Sequence, residues 1–296
     1  SGTYSWKGIP YAKAPVGALR WKAPADMEPW TSARTTQKFG NACASSSRNY
    51  GPGLNNRYDA TIGTSFNSTV GSEDCLFLNV WRPATTSEKL PVIVFVHGGS
   101  NITGYTADPV YDGANLAKTA NAVVVSVNYR LGVLGFLNSP HLKTGDALDD
   151  SGNFALLDLF KSLQFINKNI ASFGGDAGNV TLMGQSAGAV NVWALMTMPL
   201  VVNANPSLVH RAVPISGGIA RDVDVPPALA AQTGGQNWFI PTLEDKSVWA
   251  TRANSLLANL MVSDATAANV TAANAYIATL SEAQIADYMR SKSADQ

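Results

Sequence analysis

Ser186 is the residue of this sequence whose setting most clearly predicts chemistry. It is the centre of Gly184-Gln185-Ser186-Ala187-Gly188, with a strand-like run before it and a helix-like pattern after it. The pattern Gly-x-Ser-x-Gly is typical of a sharp strand-to-helix turn that presents a serine hydroxyl as a nucleophile. The glycines allow strand and helix to approach closely, and the helix amino end can stabilise a negative oxygen. An ordinary turn of small residues is the alternative, and the flanking patterns disfavour it.

A second loop could supply the electrostatic part of this chemistry. The stretch FVHGGSNITG, residues 95–104, follows a run that reads as a buried strand. Its glycines would let backbone N–H groups reach a substrate oxygen, as in an oxyanion hole. An ordinary glycine turn is again the alternative. The buried strand and His97 favour the oxyanion loop, and we expect His97 to brace it.

The elements that must position these loops are strands alternating with helices. The runs PVIVFV, AVVVSV and NVTLMG predict strands buried on both faces, and HRAVPISGG predicts a fourth. Residues 152–176 predict an amphipathic helix that Gly174 and Gly175 end. Together they predict an α/β fold with a mostly parallel central sheet covered by helices on both faces. The apolar positions of the helix are Leu156, Leu159, Phe160, Leu163, Ile166, Ile170 and Phe173.

Composition narrows the function classes. Lys plus Arg and Asp plus Glu each total 21 in 296 residues, of which 46% are hydrophobic. This predicts a globular protein without the charge field that recruits nucleic acid or an anionic membrane surface. No apolar run approaches the roughly 18 residues that span a bilayer. The first residues lack a signal-peptide pattern, so we expect a mature or truncated start.

The two cysteines, Cys43 and Cys75, flank a loop rich in Ser, Asn, Gly and Tyr. They could be two free buried thiols. A disulfide is favoured because the loop has little apolar content with which to hold itself in place, and a bridge would restrict the unfolded chain by about 3 to 4 kcal/mol. A disulfide in turn favours an oxidising compartment, so we expect a secreted or periplasmic protein.

Seven stretches of the chain resemble the type B carboxylesterases, the family that includes the cholinesterases and has the α/β-hydrolase fold. The resemblance implies that Ser186 is the acylated nucleophile and that the N–H groups of Gly99, Ser100 and Ala187 form the oxyanion hole. It also implies the Cys43–Cys75 disulfide and structural ion pairs Arg20–Glu73 and Arg130–Asp158. The stretches, between residues 8 and 218, are GIPYAKAPVGALRWKAP, SEDCLFLNVWRP, PVIVFVHGG, YDGANLA, VVVSVNYRLGVLGFL, GNFALLDLFKSLQFINKNIASFGGDAGNVTLMGQSAG and HRAVPISGG.

Three departures from the family pattern bear on substrates. Ser100 replaces the third glycine of the oxyanion loop, and Gln185 replaces a glutamate beside the nucleophile. No tryptophan lies between Cys43 and Cys75, where cholinesterases keep one that binds a quaternary ammonium by cation–π contact. Choline esters are therefore not the expected substrates.

The histidine and the acid of a catalytic triad are not apparent in the sequence. In this fold the order is Ser, acid, His, and the only histidine after Ser186 is His210, at a structural position of the family. His97 and His141 precede the nucleophile. We therefore expect the triad acid and histidine outside this chain, on a C-terminal segment or a second chain.

The predicted domain is a single, incomplete α/β-hydrolase domain over residues 1–296, the N-terminal part of a longer protein. Residues 1–90 would hold the N-terminal strands and disulfide loop, residues 91–218 the core sheet with the serine turn, and residues 219–296 a helical lid or cover.

The function predicted is a serine carboxylic ester hydrolase for small or medium uncharged esters, with no cofactor and no metal. The alternatives are a catalytically inactive, cholinesterase-like binding or adhesion protein, or a hydrolase of amides, carbamates or lactones. Of the Asn-x-Ser/Thr triplets at Asn67, Asn101, Asn179 and Asn269, Asn67 is the best glycosylation candidate.

Overall fold

The structure is a computed structural model that describes residues 2–47, 51–53, 59–218 and 246–296. The part of the expected lid or cover at 219–245 lies outside the described residues. The strands are β1 (Thr3–Pro10), β2 (Ser45–Ser46), β3 (Thr69–Val70), β4 (Phe77–Pro83), β5 (Leu90–Val96), β6 (Val123–Val127), β7 (Gly175–Gln185) and β8 (Arg211–Ile215). The α-helices are α1 (Ala114–Ala120), α2 (Gly132–Gly135), α3 (Phe154–Asn169), α4 (Ala187–Thr197), α5 (Pro199–Val202), α6 (Lys246–Ser263), α7 (Val270–Ile277) and α8 (Glu282–Arg290).

The central sheet has the order β1-β4-β6-β5-β7-β8. The apolar runs predicted as strands are β5, β6 and β7, which pair in parallel, and β8 continues the parallel part. β1 and β4 add an antiparallel edge. In the register of β5 and β7, Val96 lies beside Gly184, so the loops that follow these two strands leave the same edge of the sheet side by side.

Helices cover both faces of the sheet, as predicted. Successive strand residues point to opposite faces. Val123 and Val125 of β6 therefore join the large core that includes Leu159 and Leu163 of α3. Val124, between them, packs with Ala117 of α1 in a separate cluster on the other face.

The predicted amphipathic helix is confirmed as α3, with a correction at its carboxyl end. The helix ends at Asn169 and continues as a 3-10 turn, Ile170–Phe173. Gly174 closes that turn with φ 78°, a left-handed conformation that favours glycine. Gly175 does not end the helix, because it is already the first residue of β7.

The disulfide between Cys43 and Cys75 is present and closes a span of 32 residues. Nearby, Arg20 donates to both carboxylate oxygens of Glu73 and also to the carbonyl of Lys292. Arg130 donates to both carboxylate oxygens of Asp158, and both side chains are buried. Both expected ion pairs therefore form.

The C-terminal helices α6, α7 and α8 build a small core of their own against the body of the protein. A capping box at Ser281 begins α8, where Ser281 and Gln284 exchange side-chain to backbone hydrogen bonds. Leu257 and Met261 of α6 pack with Trp21, Leu137 and other apolar residues of earlier segments. None of the helices in the described part of the chain is long and apolar enough to cross a membrane.

Candidate active site

Ser186 lies between β7 and α4 with φ 55° and ψ −122°, backbone angles that a non-glycine residue rarely adopts. Backbone hydrogen bonds hold it there. Its N–H donates to the carbonyl of Ile215 at 2.9 Å, and its own carbonyl accepts from the N–H groups of Ala189 and Val190 in the first turn of α4. The strand-to-helix turn predicted from the sequence is thus present, with the serine at its most constrained residue.

The glycines on either side of Ser186 are required by close backbone approach. A Cβ atom on Gly184 would lie 2.3 Å from the carbonyl oxygen of Gly188. One on Gly188 would lie 2.1 Å from the carbonyl oxygen of Val96. The helix therefore starts directly against the end of β5, which brings it to the loop that follows that strand.

The glycine loop after β5, which we call the oxyanion loop (residues 98–101), packs against the serine turn. A Cβ on Gly98 would lie 2.7 Å from the carbonyl oxygen of Gln185 and 3.0 Å from the Cβ of Ser186. Gly99, Ser100 and Asn101 then follow with φ of 108°, 56° and 56°. This left-handed run turns the backbone away from the strand and toward the space beside Ser186.

Three backbone N–H groups at this junction are available to a ligand. Those of Gly99, Ser100 and Ala187 have no hydrogen-bond partner among the residues the structure describes. Ala187 begins α4, whose amino-terminal N–H groups and dipole favour a negative oxygen. The arrangement can therefore stabilise an oxyanion next to the serine hydroxyl.

An open cleft of about 840 Å³ gives access to the serine and the oxyanion loop. One side is aromatic, because the ring centroids of Phe95 and Tyr111 lie 5.2 Å apart. The buried Thr103 hydroxyl has no hydrogen-bond partner in the described part of the protein. None of the residues that line the cleft belongs to the described C-terminal helices. The lining residues are Phe95, Gly99, Ser100, Ile102, Thr103, Asp108, Val110, Tyr111, Gln185, Ser186 and Ile215.

His97 braces the base of the oxyanion loop and is electrically neutral. Its Nδ1–H donates to the carbonyl of Gly98 at 2.8 Å, and its ring stacks on Tyr129 with the centroids 4.5 Å apart. Burial lowers the pKa of His97 to about 4, although the bond to Gly98 acts in the opposite direction. The buried His97 ring therefore bonds to the loop itself.

The other two histidines of the chain also have partners away from Ser186. His141 Nδ1 lies 2.7 Å from a carboxylate oxygen of Glu282, and His210 Nδ1 accepts from the N–H of Val180. Among the described residues, no histidine or carboxylate forms a hydrogen bond with the Ser186 hydroxyl, and no cluster of three or more His, Cys, Asp or Glu side chains could hold a metal ion.

Sequence reasoning missed the cleft walls and the side chains that hold the oxyanion loop. Asn101, considered only as a glycosylation triplet, is fully buried and bonded to Asn191. Tyr111 begins YDGANLA, one of the stretches that resemble the carboxylesterase family. Its place in the cleft follows only from the fold. Asn67, the preferred glycosylation candidate, is exposed.

Comparison with known proteins gives consistent matches over most of the chain. The model of the carboxylesterase family matches residues 1–237. The para-nitrobenzyl esterase of Bacillus subtilis is 40% identical over 219 residues, which are 73% of this chain and 40% of that protein. The liver carboxylesterase of Sus scrofa is 39% identical over 214 residues, 71% of this chain and 35% of that protein. This chain thus spans about two fifths or less of the length of these relatives.

Solved structures share the fold. A thermophilic PNB esterase aligns with a TM-score of 0.64 and 33% identity, covering 86% of this chain and 50% of that one. A carboxylesterase of Geobacillus stearothermophilus aligns with a TM-score of 0.59 and 37% identity, covering 72% of this chain and 39% of that one. The mixed, mostly parallel sheet with flanking helices is therefore the α/β-hydrolase fold.

Proposed function

Since this chain belongs to the carboxylesterase family, we propose that it supplies the nucleophile and oxyanion hole of a serine carboxylic ester hydrolase. The observation that carries the proposal is the strained Ser186 in an open cleft, held beside three N–H groups that have no hydrogen-bond partner among the described residues. Because the cleft walls include Phe95, Tyr111 and Ile215, the substrates we propose are small or medium uncharged esters.

In the proposed reaction the hydroxyl oxygen of Ser186 attacks the ester carbonyl carbon. The carbonyl oxygen becomes negative and accepts hydrogen bonds from the N–H groups of Gly99, Ser100 and Ala187, which stabilises the tetrahedral intermediate. The intermediate collapses, the alcohol leaves with a proton, and an acyl-serine remains. Water then attacks the acyl carbon, and the carboxylic acid is released with Ser186 restored.

We place the general base and its carboxylate partner in a part of the complete protein other than these 296 residues. A serine hydroxyl needs a histidine to accept its proton. His97 is buried and bonded to Gly98, while His141 and His210 bond to other elements. The greater length of the relatives is consistent with a further segment, or a second chain, that completes the triad.

We also propose that the protein works in an oxidising compartment, either secreted or in a periplasm. The support is the disulfide between Cys43 and Cys75, which persists outside the reducing cytosol.

A fluorophosphonate probe tests the proposed nucleophile. The complete protein should be labelled at Ser186, and Ser186→Ala should abolish labelling and lower kcat for p-nitrophenyl acetate by about 10⁴-fold or more. Ser216 is a matched control, because it is an exposed serine with φ 55° at the end of the neighbouring strand β8. Ser216→Ala should keep the label. A folded, complete protein that stays unlabelled at Ser186 would contradict the proposal.

A further inference from the structure

Two asparagines form a reciprocal pair of hydrogen bonds beneath the active site. The side-chain amide of Asn101 donates to the Oδ1 of Asn191 at 3.1 Å, and that of Asn191 donates to the Oδ1 of Asn101 at 2.9 Å. Both side chains are fully buried. The hydroxyl of Tyr129 lies 3.0 Å from Asn101 Oδ1 and 2.8 Å from the carbonyl oxygen of His97, and its single hydrogen is shared between these two acceptors. The amide groups are therefore fixed in orientation from several directions.

The pair connects the two halves of the proposed catalytic apparatus. Asn101 follows Ser100, a proposed oxyanion donor, and its carbonyl accepts from the N–H of Gly132 at 2.6 Å. Asn191 lies five positions after Ser186, on the helix that begins at the nucleophile. Any shift of the oxyanion loop relative to that helix must stretch or break both hydrogen bonds between the two side-chain amides.

Backbone hydrogen bonds hold the loop internally, because the N–H groups of Ile102 and Thr103 both donate to the carbonyl of Gly99. Ser100 and Asn101 both have positive φ, a strained conformation for a residue other than glycine. The N–H groups of Gly99 and Ser100 must stay unpaired to serve a substrate, so they cannot anchor the loop. The hydrogen bonds that tie the loop to α4 come instead from the side chains of Asn101 and Asn191.

We propose that Asn101 and Asn191 are positioning residues, which set the distance from the oxyanion donors Gly99 and Ser100 to the Ser186 hydroxyl. This inference rests on the proposed hydrolase function. Neither asparagine lines the cleft. The pair acts only through the loop and the helix that it joins, so its loss should weaken transition-state stabilisation more than substrate binding.

The test is a double-mutant cycle on the complete protein with p-nitrophenyl acetate. Asn101→Ala and Asn191→Ala should each lower kcat by about 10- to 100-fold, because donors displaced by ~1 Å lose much of their effect, with KM changed by less than about threefold. The double variant should lose no more kcat than either single variant, because the same Asn101–Asn191 connection is broken in all three. Activity is expressed per site titrated by the fluorophosphonate, so that unfolded protein does not count.

Asn79→Ala is the matched control, since Asn79 is a buried asparagine on β4 that bonds to Thr106, Ser126 and the N–H of Gly8. It should lower the melting temperature but leave kcat per titrated site within about twofold. If the alanine variants do not fold, Asn191→Ser provides a smaller change, and it should lower kcat in the same direction.

Folded Asn variants with wild-type kcat would overturn the inference, as would losses in kcat that add in the double variant. A drop in kcat for Asn79→Ala equal to that of Asn191→Ala would also overturn it, because general destabilisation would then suffice. The proposed function fails in a different way, through a wild-type protein that neither hydrolyses the ester nor reacts with the probe.

Discussion

The serine turn and the oxyanion loop solve the same problem in different ways. Each holds non-glycine residues near φ 55°, Ser186 in one and Ser100 with Asn101 in the other. The serine turn is fixed by backbone hydrogen bonds and by close contacts that only glycines permit. The oxyanion loop also has backbone hydrogen bonds, to the carbonyl of Gly99, but its tie to α4 comes from the buried side chains of Asn101 and Asn191. A strained backbone can therefore be specified locally or from far along the chain.

If close backbone contact holds the serine turn, adding one methyl group there should cause the largest loss in the free energy of unfolding. Gly188→Ala would put a Cβ 2.1 Å from the carbonyl oxygen of Val96, a backbone atom that cannot rotate away. We expect the free energy of unfolding to fall by about 3 kcal/mol. Chemical denaturation of the complete protein measures this change.

Gly63→Ala is the control for that substitution, because a Cβ at Gly63 meets no atom of the described residues within 4 Å. It should change the free energy of unfolding by no more than about 0.5 kcal/mol. Equal effects of the two substitutions would show that the approach of α4 to β5 is not what constrains the turn.

The same contrast explains what the sequence could reveal. The glycines around Ser186 form a short pattern, and the apolar runs before them predict the strands, because both signals are local. Asn191 gives no such signal, since its bond to Asn101 spans 90 residues and depends on the register that places β5 beside β7. The exact end of α3 was also missed, because a 3-10 turn separates Asn169 from the glycine that closes it.

Because the buried His97 side chain braces the oxyanion loop, the stability of the protein should depend on pH. Burial lowers the pKa of His97 to about 4, below the value of 6.5 for an unperturbed histidine. Between these values the unfolded state binds the proton and the native state does not, so stability rises with pH. The contribution, about 3 kcal/mol, is complete above pH 6.5 and is lost as the pH falls toward 4.

His97→Phe tests this contribution. The difference in unfolding free energy between wild type and variant, measured by denaturation at pH 7.5 and pH 4.5, should shrink by about 2 to 3 kcal/mol at the lower pH. Other titrating groups are common to both proteins and cancel in the difference. A difference independent of pH would mean that the His97 ring is solvated and does not brace the loop as a neutral group.

Of these substitutions, Ser100→Gly should change the free energy of unfolding least. Its side chain is exposed in the cleft while its backbone has φ 56°, so glycine relieves about 1 kcal/mol of strain. Glycine also gives the unfolded chain more conformational entropy, which lowers the free energy of unfolding by about 0.5 to 1 kcal/mol. Ser100→Gly should therefore change the unfolding free energy by less than about 0.5 kcal/mol, and denaturation measures it against Ser100→Ala, which keeps the Cβ and removes only the hydroxyl. If Ser100→Gly instead costs more than 1 kcal/mol, the Ser100 side chain itself holds the loop, and the tie through Asn101 and Asn191 is not sufficient.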